Sequence, residues 1–148
     1  MTIKAQLEIA LREAMKSGDV TRKQTVRMVL SAVKLAEVER GKPLEDNELV
    51  SILQKEVKSR REAIEEAEKA NRPDLIVAGQ AEIAVLDTFL PRQLSDEALT
   101  SIVKAAILEV NATTPADMGK VMKIVMAKVA GKAAGDRVSS LVKQLLQG

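Results

Sequence analysis

One aromatic residue, Phe89, serves a chain of 148 residues. A core without aromatic bulk must be assembled from Leu, Ile, Val, Ala and Met. Those residues make up most of the 46% apolar fraction, and with 30% charged residues they are the material of a helical protein. They recur at intervals of three and four, and no useful stretch alternates apolar with polar. The expected fold class is all-α, and the length suits one ordinary domain or two small ones.

Glycine and proline set the punctuation. A first helix runs from near Thr2, with Ile3, Leu7, Leu11 and Ala14 on one face, and stops at Gly18. A second spans about Asp19 to Arg40 and ends at Gly41. Val26, Val29, Leu30 and Val33 form its stripe, while Met28 and Leu35 lie on another side, as in a central helix. A third runs from near Asp46 to Ala70 on Leu49, Ile52, Leu53, Val57 and Ile64, ended by Asn71 and Pro73. The second and third form a long hairpin. A fourth spans about Asp74 to Phe89, halted by Pro91.

Ser95, followed by Asp96 and Glu97, is a good N-cap for a fifth helix reaching Val110, with Leu99, Ile102, Val103, Ala106 and Ile107 inward. Thr114-Pro115-Ala116-Asp117 reads as a capping box opening a sixth helix over about 115–130. A seventh covers about 136–147 on Val138, Leu141, Val142 and Leu145. The expected organisation is a helical domain over 1–93 and a three-helix tail over 94–148. So small a tail buries little core, and it is expected either to lean on the hairpin or to move on a tether.

The zeros narrow the chemistry. Cysteine and histidine are both absent, which removes disulfides, thiolate nucleophiles and the commonest metal ligand. Neither Tyr nor Trp offers a stacking platform for bases. No defensible nucleophile remains, so no catalytic residue, metal or cofactor is expected, nor catalysis by the chain alone. No apolar run approaches the ~20 residues of a membrane span, and the N-terminus does not read as a signal peptide. The expectation is a cytoplasmic monomer without membrane association.

Charge is unevenly placed. Residues 118–148 carry six bases and one acid, a net of +5, against −3 for the remainder. A basic end on a near-neutral chain suits a polyanion, though a solvated helical surface would look the same. Gly119-Lys120 and Gly131-Lys132 invite comparison with a phosphate loop. That motif requires G-x-x-x-x-G-K-[ST] after a strand, and Ala133 follows Lys132, so the motif is excluded. Gly131 reads as the stop of the sixth helix. Gly119 falls in its first turns, where glycine costs ~1 kcal/mol against alanine. Either a packed helix or a ligand phosphate would explain it.

On a helical wheel Met118, Val121, Met122, Val125 and Val129 share the core face. Lys120 and Lys123 then point outward and Lys128 flanks the core. Lys132 lies in the turn, and Arg137 opens the seventh helix. This basic ridge, without aromatics, suits phosphate contact rather than base reading. A secondary basic cluster, Lys58, Arg60 and Arg61, is interleaved with Glu56 and Glu62. Glu56 and Arg60 fall inside the third helix's inner stripe. They form either an ion pair sealing the hairpin, with Arg27 nearby, or a ligand-facing arginine.

The segments "AMKSGDVTRKQTVRMVLSAVK", "VKSRREAIE", "DLIVAGQAEIAVLDTFLPRQLS" and "MGKVMKIVMAKVAGKAAGDRVSSLVKQLL" resemble the GatB/YqeY family over most of the chain. The last is similar to the tail of the B subunit of tRNA-dependent amidotransferase. The resemblance implies an all-helical protein in two parts, with a tail of the kind that contacts the tRNA body. It also implies a carbon–nitrogen ligase label with glutamine as amido-N-donor, although the catalytic core has no counterpart here. One residue departs from the pattern: Ala134 stands where the family has Asp or Asn, the expected N-cap of the seventh helix. That absence should cost ~1 kcal/mol unless Asp136 substitutes. The leading expectation is an accessory protein that binds tRNA or another structured RNA, related to the glutamyl-tRNA(Gln)/aspartyl-tRNA(Asn) amidotransferase. Lys120, Lys123, Lys128, Lys132 and Arg137 would meet phosphates, and Gly119 and Gly131 would permit close approach. The alternative is an adaptor docking on an amidotransferase or aminoacyl-tRNA synthetase.

Overall fold

The computed structural model describes residues 1–147. Among them it holds seven α-helices and one 3₁₀ turn, and the fold is all-α. The chain divides after Leu90 into two compact units.

The first unit contains α1 (Ile3–Ser17), α2 (Val20–Arg40), α3 (Asp46–Lys69) and α4 (Pro73–Asp87). Each boundary has a local cause. The Thr2 hydroxyl accepts from Ala5 N–H at 3.1 Å and the Asp19 carboxylate from Arg22 N–H at 3.1 Å, so both helices start on side-chain caps. Gly18 and Gly41 adopt φ of 76° and 73°, and their N–H groups close the last turns onto Ala14 O and Glu37 O. Asn71, at φ 58°, does the same turning work after α3. Pro73 does not end α3; it is the first residue of α4, where its missing N–H is no loss.

The core forms where four stripes meet. Leu7, Val26, Val29, Val33, Leu49, Leu53 and Leu86 are fully buried, and Phe89 closes the cluster. Full burial of one such aliphatic side chain contributes about 1.5–3 kcal/mol. α3 and α4 approach closely at Gly79. A Cβ on Gly79 would lie 2.7 Å from Ile64 Cγ1, so only glycine admits this packing without movement.

Two expectations about this unit need correction. α2 does touch α1, α3 and α4, but its second apolar face is not buried: Met28, Leu35 and Val38 are exposed. Its buried contacts lie on the Val26–Val29–Val33 side, and on the other side Met28 meets only the edge of α3 at Arg60. α4 ends at Asp87, ahead of Phe89, and Pro91 does not halt it. Thr88, Phe89 and Leu90 wind the exit tightly through bonds to the residues three before them.

The second unit contains α5 (Asp96–Glu109), the 3₁₀ turn Pro115–Asp117, α6 (Met118–Val129) and α7 (Gly135–Gln147). The Ser95 hydroxyl caps α5 by accepting from Ala98 N–H at 3.1 Å. Its core is mostly valine: Val103, Val121, Val125, Val129, Val138 and Val142, with Leu99, Ala106 and Ala133. The sixth helix starts later than 115. Asp117 N–H bonds to Thr114 O at 3.0 Å, a three-residue closure that keeps Pro115–Asp117 out of the α-helical register.

Candidate nucleic-acid interface

Five basic residues of the second unit follow α6 from its first turn, through the turn after it, into the start of α7. Outward spacing on α6 leaves Lys120 and Lys123 exposed, as is Lys128 one turn further. Asp117, one turn before Lys120, is drawn back to the chain. Its carboxylate accepts from Thr113 N–H at 3.1 Å and Thr114 N–H at 3.4 Å. Those two donors, with a smaller contribution from Lys120, hold its carboxyl below the ordinary aspartate range.

The corner itself differs from its expected geometry. Gly131 is not the C-cap of α6. Ala130 takes that position at φ 46°, its N–H reaching Met126 O at 3.3 Å, and Gly131 follows at φ 83°. An alanine in the left-handed region is strained by roughly 1–2 kcal/mol, and its sequence gives no sign of that conformation. Lys132 N–H then returns to Val129 O at 2.9 Å. Ala134 stands at the N-cap of α7, where its carbonyl accepts from Val138 N–H at 3.0 Å, but its methyl offers no acceptor. Asp136 sits in the first turn, favourably placed against the helix dipole.

The five cations are not equivalent. Arg137 Nη2 bonds to Asp96 Oδ1 at 2.7 Å and is half-buried. Lys128 lies 3.4 Å from Glu109. Lys123 and Lys132 carry no ion pair among the described residues, and Lys120 has only the nearby Asp117. Gly119 is exposed, and a Cβ there would meet nothing within 4 Å, so a packed helix is not its reason. Of the methionines at 118, 122 and 126, the first two pack against the core while Met126 is exposed.

The secondary cluster does not hold together as a surface. Lys58 and Arg61 are exposed, but Arg60 is buried at 7% exposure. Arg60 Nε donates to Glu82 Oε2 at 3.1 Å, and its Nη1 pairs with Glu56 and bonds to Glu56 O at 3.2 Å. Met28 Sδ lies 3.5 Å from Nη2. The ion-pair reading of Glu56 and Arg60 holds, and the ligand-facing reading does not. The third member is Glu82 of α4, not the exposed Arg27.

Sequence reasoning passed over Arg92. The segment after Pro91 runs beside the α6–α7 corner. Leu94 N–H donates to Lys132 O at 2.8 Å, and Gln93 Nε2 to Gly131 O at 3.2 Å and Pro91 O at 2.7 Å. Arg92, Gln93, Leu94, Ser95 and Lys132 line an open cavity of about 340 Å³. In the sequence Arg92 fell within the domain drawn over 1–93, whereas the structure places it in the second unit, which begins at Pro91. Among the described residues no group of His, Cys, Asp or Glu could hold a metal ion.

The architecture and its basic corner define a class: an all-α protein of two helical units. The chain matches the family model described as Yqey-like protein over residues 4–146, and it belongs to that family. Curated relatives are named altered inheritance of mitochondria protein 41, mitochondrial. The one from Lachancea thermotolerans is 36% identical over 87 residues, covering 58% of this chain and 46% of that protein. The one from Eremothecium gossypii is also 36% identical over 87 residues, covering 58% and 48%. The one from Pyrenophora tritici-repentis is 30% identical over 146 residues, covering 95% and 79%. The chain spans about half the length of the first two relatives it matches.

These relatives overturn the expectation of a cytoplasmic protein, since they are mitochondrial by name. The error lay in reading a compartment from the absence of a long apolar run. No helix among the described residues is long and apolar enough to cross a membrane, and that bears on crossing alone.

Proposed function

We propose that the protein binds tRNA or another structured RNA through the α6–α7 corner of its second unit, as an accessory factor without chemistry of its own. The carrying observation is that Lys120, Lys123 and Lys132 stand exposed while Arg137 and Lys128 are held by acids. Open space over Gly119 and the resemblance of this segment to the amidotransferase tail support the same reading. Lysines without aromatics meet phosphates and shape, not base edges. Affinity should therefore fall with salt, with a log–log slope of roughly two to three for three neutralised phosphates. Titration of tRNA at several salt concentrations tests this. Changing Lys120, Lys123 and Lys132 together to Glu should abolish binding. A flat salt response, or unchanged affinity in the triple variant, defeats the reading.

A second reading rests on a different observation, the exposed Met28, Leu35 and Val38 on one side of α2. That face suits an adaptor docking on an amidotransferase or aminoacyl-tRNA synthetase. Recovery of such an enzyme after nuclease treatment, lost in Leu35→Glu, would favour it over direct RNA binding.

A further inference from the structure

The cavity beside the α6–α7 corner has features that an exposed lysine ridge lacks. It is concave, and its volume of about 340 Å³ lies in the range of small-ligand sites. Two of its five lining residues, Arg92 and Lys132, are cations, and none is an acid. The acids nearest in sequence, Asp96 and Glu97, open α5, and Asp96 is already paired with Arg137 at 2.7 Å.

The walls are fixed relative to each other. The Leu94 N–H to Lys132 O bond and the Gln93 bridge to Gly131 O join two segments nearly forty residues apart in sequence. Lys132 is held from its other side by Val129 O. The backbones that carry the two cations are thus anchored before any ligand arrives, which lowers the ordering cost of binding. An arginine and a lysine in the lining of one recess suit a phosphate group: Arg supplies a bidentate fork and Lys a point charge.

The geometry points to a phosphate-binding recess formed by Arg92 and Lys132, which seats one phosphate of a bound RNA at the foot of the basic corner. This rests on the RNA reading for the source of the phosphate, but not for the recess itself. It makes Lys132 a member of a built site rather than of the ridge, and it adds Arg92 to the interface. Gln93 is a positioning residue, acting through Gly131 O.

Amide and Arg side-chain NMR on the full chain tests the recess, with two probes. Inorganic phosphate should shift Leu94, Ser95 and Lys132 amides and the Arg92 Nε–H, and these shifts should vanish in Arg92→Gln. Structured RNA should move the same signals at far lower concentration. Arg92→Gln and Lys132→Gln should each weaken RNA binding about tenfold, against a few-fold for Lys123→Gln, which removes the same charge on the ridge. Phosphate shifts without RNA binding would retain the recess and defeat the RNA reading. RNA binding with a silent recess, and equal losses in all three variants, would overturn the recess and leave the ridge. Silence toward both probes would overturn both.

Discussion

The two units differ in how deeply charge enters the joints between helices. In the first, charged groups knit helices together. Arg60 joins α3 to α4 through Glu82, and Lys4 lies 2.9 Å from Glu37 across α1 and α2. Asp46 accepts from Ile3 N–H at 3.1 Å, and Arg40 pairs with Glu48. In the second unit the core is mostly valine, the pairs Arg137–Asp96 and Lys128–Glu109 tie α7 and α6 to α5 only at the exposed surface, and Lys120, Lys123 and Lys132 carry no strong ion pair among the described residues. A basic residue is therefore structural or available according to whether a neighbouring helix brings an acid to it. Local sequence spacing alone does not reveal this.

The sharpest test of the contrast is Arg60→Met. It strands Glu56 and Glu82, whose side chains are 24% and 36% exposed, so part of the penalty for an unpaired buried charge is relieved by water. A loss of about 2–3 kcal/mol in urea unfolding is expected, with tRNA affinity of the folded protein unchanged. A loss of RNA affinity matching that of the Lys triple variant would return Arg60 to the interface and erase the distinction between the units.

Gly79→Ala probes the other device of the first unit, close helix approach. The added Cβ forces Ile64 aside, and the gain in helix propensity offsets part of that cost, leaving a loss of about 1 kcal/mol. The double change Gly79→Ala with Ile64→Ala should cost less than the two single changes added together. Strict additivity would mean that α3 and α4 are not packed through this contact.

What the sequence revealed tracks how local each cause is. Gly18 and Gly41 were readable stops because a left-handed residue after a helix strongly favours glycine. Arg60 could be assigned to an inner stripe by counting 100° per residue, and Lys120 and Lys123 to an outer one. Glu82, on another helix 22 residues away, could not be found that way, nor could the pairing of Arg137 with Asp96 across 41 residues. The apolar second face of α2 was misread because periodicity marks a face as apolar without saying whether anything covers it. Ala130 was missed for a different reason: an alanine in a left-handed turn looks like helix.

Ala130→Gly follows from that last point and applies only to the second unit. Relief of the left-handed strain should stabilise it by about 1 kcal/mol, less the entropy glycine loses on folding. Hydrogen exchange on the full chain would localise the gain to α6 and α7. Protection rising equally in α1–α4 would show that the two units unfold as one, and the comparison between them would then describe surfaces rather than separately stable parts.

The smallest effect separates the units by how each anchors a carboxylate. Glu37 is held below the ordinary glutamate range first by Lys4 and then by the Leu44 N–H. Asp117 is held low first by the N–H groups of Thr113 and Thr114, with Lys120 a lesser cause. Both depressed values favour the ionised form in the folded protein. Each contribution to stability is therefore complete above the unfolded pKa, near 4, and lost as pH falls through the folded one. Salt distinguishes them. Raising ionic strength screens an exposed ammonium but leaves a fixed backbone donor in place. Carboxyl-carbon NMR titrations at low and high salt should show Glu37 moving back toward its ordinary value more than Asp117 does. Equal movement would mean that Lys120 dominates at Asp117. That lysine would then be engaged by its own unit, and the free corner of the second unit would shrink to Lys123 and Lys132.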